Sequence, residues 1–378
     1  MINNVSLLNF KSYREESIEL SMLTVFCGNN SVGKSTAIQA ISIPLQSKFG
    51  EKVVLNGDLT EVGTIKDIHH KSPKNESLKI NLTIDGNNYS WGYDDYETHI
   101  RTSKIELNGF NSNSLDGGVV FQEILENFQY LQAERYGPRN NYDLTTSSKF
   151  HSRWLGSKGE FTAEFLSNAE NFDRFFVGGR FVRDDVAQDP RLHQSVKSQV
   201  LHDHINAWMA EISPGIEVST KVIEQAAVAI SSYSQNSFDS LKPHNVGFGV
   251  SYALGIVCAM LMTKPGGLVI VENPEAHLHP RGQSYLGRLI ALTAQAGVQI
   301  IVETHSDHLI NGMRLMPRLG KVDCEAMRIY QVVADLEDRC SKALPITVNA
   351  QGELSDWPES FFDQQLIDMD ILMSGQEQ

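Results

Sequence analysis

Residues Gly28–Thr36 read Gly-Asn-Asn-Ser-Val-Gly-Lys-Ser-Thr. The apolar run Leu23–Cys27 precedes them and Ala37–Ile41 follow, so strand, loop and helix stand in the order a phosphate cradle requires. Gly28 and Gly33 let the backbone curl until successive N–H groups of Asn29, Asn30, Ser31, Val32 and Thr36 can face one anion. Lys34 is long enough to reach the β- and γ-phosphates, and Ser35 is placed to hold Mg²⁺. The segment predicts a nucleoside triphosphate site. A glycine-rich turn without ligand is the bland alternative, and the flanking strand and helix count against it.

The bulk properties set the surroundings. A chain of 378 residues exceeds what one core usually fills, so two or three units are expected. No run of 18 apolar residues exists and no leader precedes the opening strand, so no membrane partner and a cytoplasmic location are expected. Cys27, Cys258, Cys324 and Cys340 are dispersed, as reduced thiols would be. A net charge of −14 argues against a surface that coats nucleic acid throughout, although one basic groove for DNA is compatible with it.

The pattern along the chain predicts an α/β fold. Val5–Phe10 and Ser17–Leu20 read as a hairpin, and Leu78–Ile84 with His99–Leu107 as further strands around a turn at Asp85–Asn88. From about Gly156 to Leu241 helical spacing takes over, as in Val196, Val200, Ile205, Trp208 and Met209, with a break at Ser213-Pro214-Gly215. After Pro243 apolar strands and helices alternate again. The expected units are residues 1–155 and 242–325 as two parts of one head, 156–241 as an inserted, mainly helical arm, and 326–378 as a small C-terminal domain.

Gly267–Pro280 contains four apolar residues ending in Glu272, the pattern of a buried parallel strand with an acid at its carboxyl end. Glu272 is expected to face the Mg²⁺ held by Ser35. Hydrolysis needs a group that orients water, yet the next residue is the amide Asn273, so Glu275 is the candidate. The alternative is slow turnover with ATP acting chiefly as a switch. Val298–Glu303 repeats the strand pattern, His305 could sense the γ-phosphate, and Ser306 could cap the following helix. The spacing of His277 and His279 also suits a metal, but no Cys lies near to complete a zinc site. Gly247, Gly249 and Ser251 open another apolar helix and form a second anion site, explained if it closes on the nucleotide of another copy. A tight glycine-mediated helix contact is the alternative.

With these motifs in place, the chain resembles the ABC-type ATPases of the SMC/RecF group, among short bacterial AAA proteins related to OLD-family ATPases. The likeness rests on Leu8–Tyr13, the phosphate loop, Gly247–Ser251, Glu272–Pro280, Glu303–Ser306 and the terminal Leu354–Asp363. It implies an ABC/RecF-like head with a mixed central sheet and a small antiparallel side sheet. It also implies that Gln132 contacts Mg²⁺ and water, with Arg135 and Arg139 as phosphate contacts or links; a surface pair with Glu134 is the alternative for either arginine. About 70 residues follow His305, too few for an added Toprim nuclease domain, so no nuclease activity is expected. The resemblance further implies a homodimer or higher homo-oligomer closing around ATP. That cycle would gate a separate effector protein, such as a nuclease or toxin in phage defence; a RecF-type DNA clamp is the alternative. A membrane transporter and a small-molecule kinase fit the motifs less well.

Overall fold

The computed structural model describes residues 1–97, 111–112, 117–145, 150–171, 176–179, 189–235, 238–335, 337–356 and 364–375. The expected strand at His99–Leu107 and, of the terminal Leu354–Asp363, all of Trp357–Asp363 lie outside these residues. Strands β1 (Ile2–Phe10) and β2 (Tyr13–Glu19) form a hairpin, β3 (Leu23–Cys27) enters the phosphate loop and α1 (Lys34–Leu45) leaves it. After the single turn α2 (Ile65–Ile68) come β4 (Leu78–Ile84), β5 (Asn87–Tyr93), β6 (Asn111–Ser112), α3 (Gly117–Glu126) and β7 (Phe128–Leu131). The middle of the chain holds β8 (Tyr142–Asp143), α4 (Thr162–Asn171), α5 (Leu201–Ile212), β9 (Ile216–Ile223), β10 (Val228–Gln235) and β11 (Phe238–Leu241). Then follow α6 (Phe248–Met262), β12 (Leu268–Glu272), α7 (Pro280–Gln295), β13 (Gln299–Glu303) and α8 (Asp307–Arg318). β14 (Met327–Asp335), β15 (Cys340–Thr347) and α9 (Gln364–Ser374) complete the elements.

The central sheet runs β15-β14-β3-β13-β12-β7, parallel throughout except for β15 at one edge. Its inner strands are apolar at nearly every position because both faces are covered. Val25, Val269, Val271, Ile300 and Val302 face one core with α5, α6, α7 and α8. Phe26, Leu268, Ile270 and Ile301 face another with α1 and the five-stranded side sheet β2-β1-β4-β5-β6. That antiparallel side sheet is the one expected. Its β4–β5 turn is tighter than expected, however: Asp85 and Gly86 alone make it, both at positive φ, and Asn87 already pairs with Ile84. Two residues at positive φ match the right-handed twist of the flanking strands, which makes Asp-Gly a hairpin signal.

The predicted helical stripe of residues 156–241 holds for Ile205, Trp208 and Met209, which with Leu201, His204 and Ile212 are the buried face of α5, whereas Val196 and Val200 precede the helix and Val200 bridges Phe176. Gly215 takes φ 77° and turns the chain into β9, which pairs with β10 along all eight residues. This antiparallel sheet is an addition to the mainly helical expectation. Alternation in Ile216–Val222 carried its signal, with Ile216, Val218 and Thr220 buried between exposed neighbours. The segment shares its core with the head instead of forming one of its own, since α5, Ile216, Val218 and Tyr233 pack with α6 and α7. The central sheet runs on across the boundary expected at 325/326: Met327–Gln331 pair in parallel with Leu23–Cys27. A parallel partner some 300 residues away in sequence leaves no local trace.

Candidate functional site

The phosphate loop is held from behind. Gly28 adopts φ 133°, and a Cβ there would lie 2.4 Å from the Val332 carbonyl oxygen. Gly33 adopts φ 108°, and its Cβ would lie 2.5 Å from the Oγ atoms of both Ser12 and Ser341. Ser341 in turn donates to the Val32 carbonyl. The β1–β2 turn and the edge strand β15 therefore fix the curl that glycine permits. Lys34, 3% exposed, reaches across the loop to the carbonyl oxygens of Gly28 (3.1 Å) and Asn29 (2.6 Å). Burial lowers the pKa of its ammonium, against Glu303, Cys27 and Glu275, which favour the charge.

A cleft of about 620 Å³ opens beside this loop, lined by Asn30, Ser31, Gly33, Lys34, Ser35 and Thr36. Lys11 and Ser12 contribute from the β1–β2 turn, Glu303 from the end of β13, and Asn273 and His305 from just beyond the ends of β12 and β13. Most of the loop residues expected to bind nucleotide thus share one cavity at the carboxyl ends of parallel strands, where ligands of open α/β sheets sit.

The acids are arranged differently from the expectation. Glu272 and Glu303 are register partners at the ends of β12 and β13. The Ser35 hydroxyl donates to Glu303 Oε1 at 2.9 Å, and no such bond joins it to Glu272. Glu272 instead accepts from the Tyr130 hydroxyl at Oε1 and from the Ala133 N–H at Oε2, 3.1 Å away. Burial, and then the neighbouring Glu272 charge, push the Glu303 carboxyl up to about 7, while Ser35 and Lys34 pull it down. Sequence reasoning missed Glu303 as a site residue. The available signal was its place ending Val298–Val302, just as Glu272 ends Val269–Val271.

Glu275 holds the turn after β13: its carboxylate accepts from Thr304 Oγ1 (2.8 Å) and from the His305 N–H (2.7 Å). His305 faces the cleft, and partial burial followed by the Lys34 charge lowers its pKa, favouring the neutral ring. Ser306 caps α8 as expected, accepting from Leu309 N–H at 3.0 Å. Gln132 lies apart from the cleft lining, its amide donating to the carbonyls of Leu59 (2.8 Å) and Asp58 (3.3 Å). Arg135 is buried and donates to the carbonyls of Gln132, Glu272 and Asn273 at 2.6–2.7 Å, with Tyr252 of α6 5.3 Å from its guanidinium. It is therefore a link between the acid-bearing strand end and α6. Glu134 pairs with Lys158, and Arg139 stacks on Tyr136.

Gly247, Gly249 and Ser251 stand at the start of α6 and none lines this cleft. Gly249 is pressed on the loop after β12, where a Cβ would meet the His277 carbonyl oxygen at 2.4 Å. Ser251 lines a small cavity with Tyr233, and their hydroxyls lie 3.5 Å apart. Gly247 is open: a Cβ there meets no described atom within 4 Å.

The cleft offers oxygens from Ser35, Asn273 and Glu303, and of these the buried Oδ1 of Asn273 and Oε2 of Glu303 have no described hydrogen-bond partner. That set suits a hard divalent cation. Among the described residues no group of three His, Cys, Asp or Glu side chains is placed to hold an ion unaided. A cation bound here would need ligand oxygens as well, as Mg²⁺ does with nucleotide phosphates.

A mixed sheet wrapped by helices, with a phosphate loop and acids at its strand ends, is the fold seen in SMC head domains. The chain is similar over 92% of its length to 98% of an SMC head bound to the C-winged helix domain of ScpA, at 14% identity and a TM-score of 0.52. It is similar over its full length to 99% of an SMC head domain with an extended coiled coil, bound to the C-terminal domain of ScpA and derived from Pyrococcus furiosus, at 15% identity and a TM-score of 0.53. The chain belongs to the family described as "AAA domain, putative AbiEii toxin, Type IV TA system", which matches residues 23–311. Residues 333–372 match a further family described as a protein of unknown function, DUF3696. No curated protein matches the chain. Among the described residues no helix is long and apolar enough to cross a membrane.

Proposed function

We propose that this protein binds ATP with Mg²⁺ in the cleft beside Gly28–Thr36 and hydrolyses it slowly, between two copies of the chain. The observation that carries the reading is the cleft itself, in which Lys34, Ser35, Glu303, Asn273 and His305 converge on one cavity beside a constrained phosphate loop. When bound, Mg²⁺ would neutralise charge on the phosphates, held by Ser35 together with a carboxylate at the strand ends beside it. Lys34 exchanges its loop carbonyls for phosphate oxygens. Glu275, through the His305 N–H, fixes the turn that aims His305 at the γ-phosphate side. Asn273 supplies no base, which supports slow turnover. Gln132 acts on cation or water only after leaving the Asp58 and Leu59 carbonyls.

The second copy would bring its Gly247 turn, with the unpaired N–H groups of α6, to the phosphates. Opening and closing of the pair then gates a separate effector protein, such as a nuclease or toxin in phage defence, with no nuclease in this chain. DNA clamping by the closed pair is the competing reading, and the net charge of −14 weighs against it. Measuring ATPase activity and DNA binding across salt concentrations tests the choice. ATPase indifferent to DNA, with a co-purifying partner, supports gating; salt-sensitive DNA binding that strengthens with ATP overturns it.

A further inference from the structure

We propose that Glu303, and not Glu272, is the protein carboxylate that holds the divalent cation accompanying the nucleotide, beside Ser35, while Glu272 is a positioning residue. The inference rests on the ATP-binding reading and deepens it. Glu303 is 5% exposed, yet it lines the cleft and its Oε2 has no described hydrogen-bond partner. Its Oε1 already accepts from Ser35, the hydroxyl a cation would share. A buried carboxylate oxygen left unpaired is costly, and a cation beside it removes the cost.

Glu272 is committed elsewhere. Each of its oxygens accepts a hydrogen bond, from Tyr130 and from Ala133, and Glu272 is not among the residues lining the cleft. Its backbone carbonyl is held by Arg135 as well. These bonds fix the end of β12 and the start of the segment after β7, and with them the backbone of the cleft-lining Asn273. Parallel pairing then carries the acid role one strand over, from β12 to its register partner on β13.

The test is calorimetric titration of ATP into the full chain, with Mg²⁺ and with EDTA, together with Mn²⁺ binding followed by electron paramagnetic resonance in the presence of ATP. Wild-type protein is expected to bind ATP more tightly with Mg²⁺. Glu303→Gln is expected to lose at least about tenfold in Mn²⁺ affinity and most of the Mg²⁺ enhancement, while binding ATP in EDTA as wild type does. Glu272→Gln is expected to keep the enhancement. Wild-type Mn²⁺ affinity in Glu303→Gln, even with reduced turnover, overturns the assignment, as does loss of the enhancement in Glu272→Gln alone. If Glu303→Gln does not fold, Glu303→Asp carries the test: its shorter carboxylate must weaken Mn²⁺ binding, and unchanged affinity overturns the assignment. Failure of the wild type to bind ATP in either condition would instead strike the underlying reading, so the two failures are distinct.

Discussion

The two glycine-rich turns of this chain are built in opposite ways. Around Gly28 and Gly33 the backbone has no free space: Val332, Ser12 and Ser341 press on it, and both glycines take a left-handed φ. Around Gly247 a side chain would meet nothing described, the φ of −58° suits any residue, and the adjacent Phe248 is 56% exposed. A cradle that must hold one shape before its ligand arrives is packed from behind, which lowers the ordering cost of binding. A turn that meets its ligand only when another copy arrives needs room in front of it. On the reading proposed above, the contrast separates the half of the site that is complete within one chain from the half that is lent to its neighbour.

The contrast can be broken most forcefully at the link between the halves. Arg135→Ala leaves three part-buried carbonyls without their donor and opens space under Tyr252, and should cost about 3–5 kcal/mol of stability, read by thermal or denaturant unfolding. An unchanged melting point would show that the strand end of β12 holds itself without α6. Gly28→Ala, forced against the Val332 carbonyl at positive φ, should cost roughly 2–4 kcal/mol in the same assay. Lys34→Ala should leave the fold intact but weaken ATP binding by about 1.5–3 kcal/mol or more, since the charge-assisted phosphate contacts are lost. Retained wild-type affinity in a titration would remove Lys34 from the site.

The finest distinction lies within the second turn. Gly249→Ala drives a methyl group into the His277 carbonyl and should destabilise the fold by roughly 1–3 kcal/mol. Gly247→Ala, only two residues earlier, should alter stability by no more than about 0.5 kcal/mol. It should nonetheless weaken ATP-dependent association about tenfold, equivalent to about 1.4 kcal/mol. Equal stability losses in both variants would show that the turn is packed throughout and erase the comparison.

The same difference explains what was legible in the sequence. The phosphate loop is a local device: glycines, Lys34 and Ser35 sit at fixed spacings on a strand–loop–helix unit, so nine consecutive residues describe it. The strands ending at Glu272 and Glu303 were also visible as apolar runs bounded by polar groups. Which acid meets Ser35 was not visible, because that depends on strand order and on where Tyr130 and Ala133 fall, more than 100 residues from Glu272. Parallel pairing of β14 with β3 and the shared core of α5 with α6 were hidden for the same reason. Ser251 shows the limit of motif reading: it stands in a plausible signature, yet its hydroxyl turns toward Tyr233 inside the head. The helical phase that places it depends on where Gly247 ends the preceding turn.

The most direct test of the central claim is the mass of the protein in solution with bound, non-hydrolysable ATP analogue and Mg²⁺, measured against the same protein without nucleotide. Two copies closing across the phosphates predict a shift from one chain, 42.2 kDa, to twice that mass, abolished by Lys34→Ala. A single-chain mass in both conditions, with the analogue demonstrably bound, would contradict it.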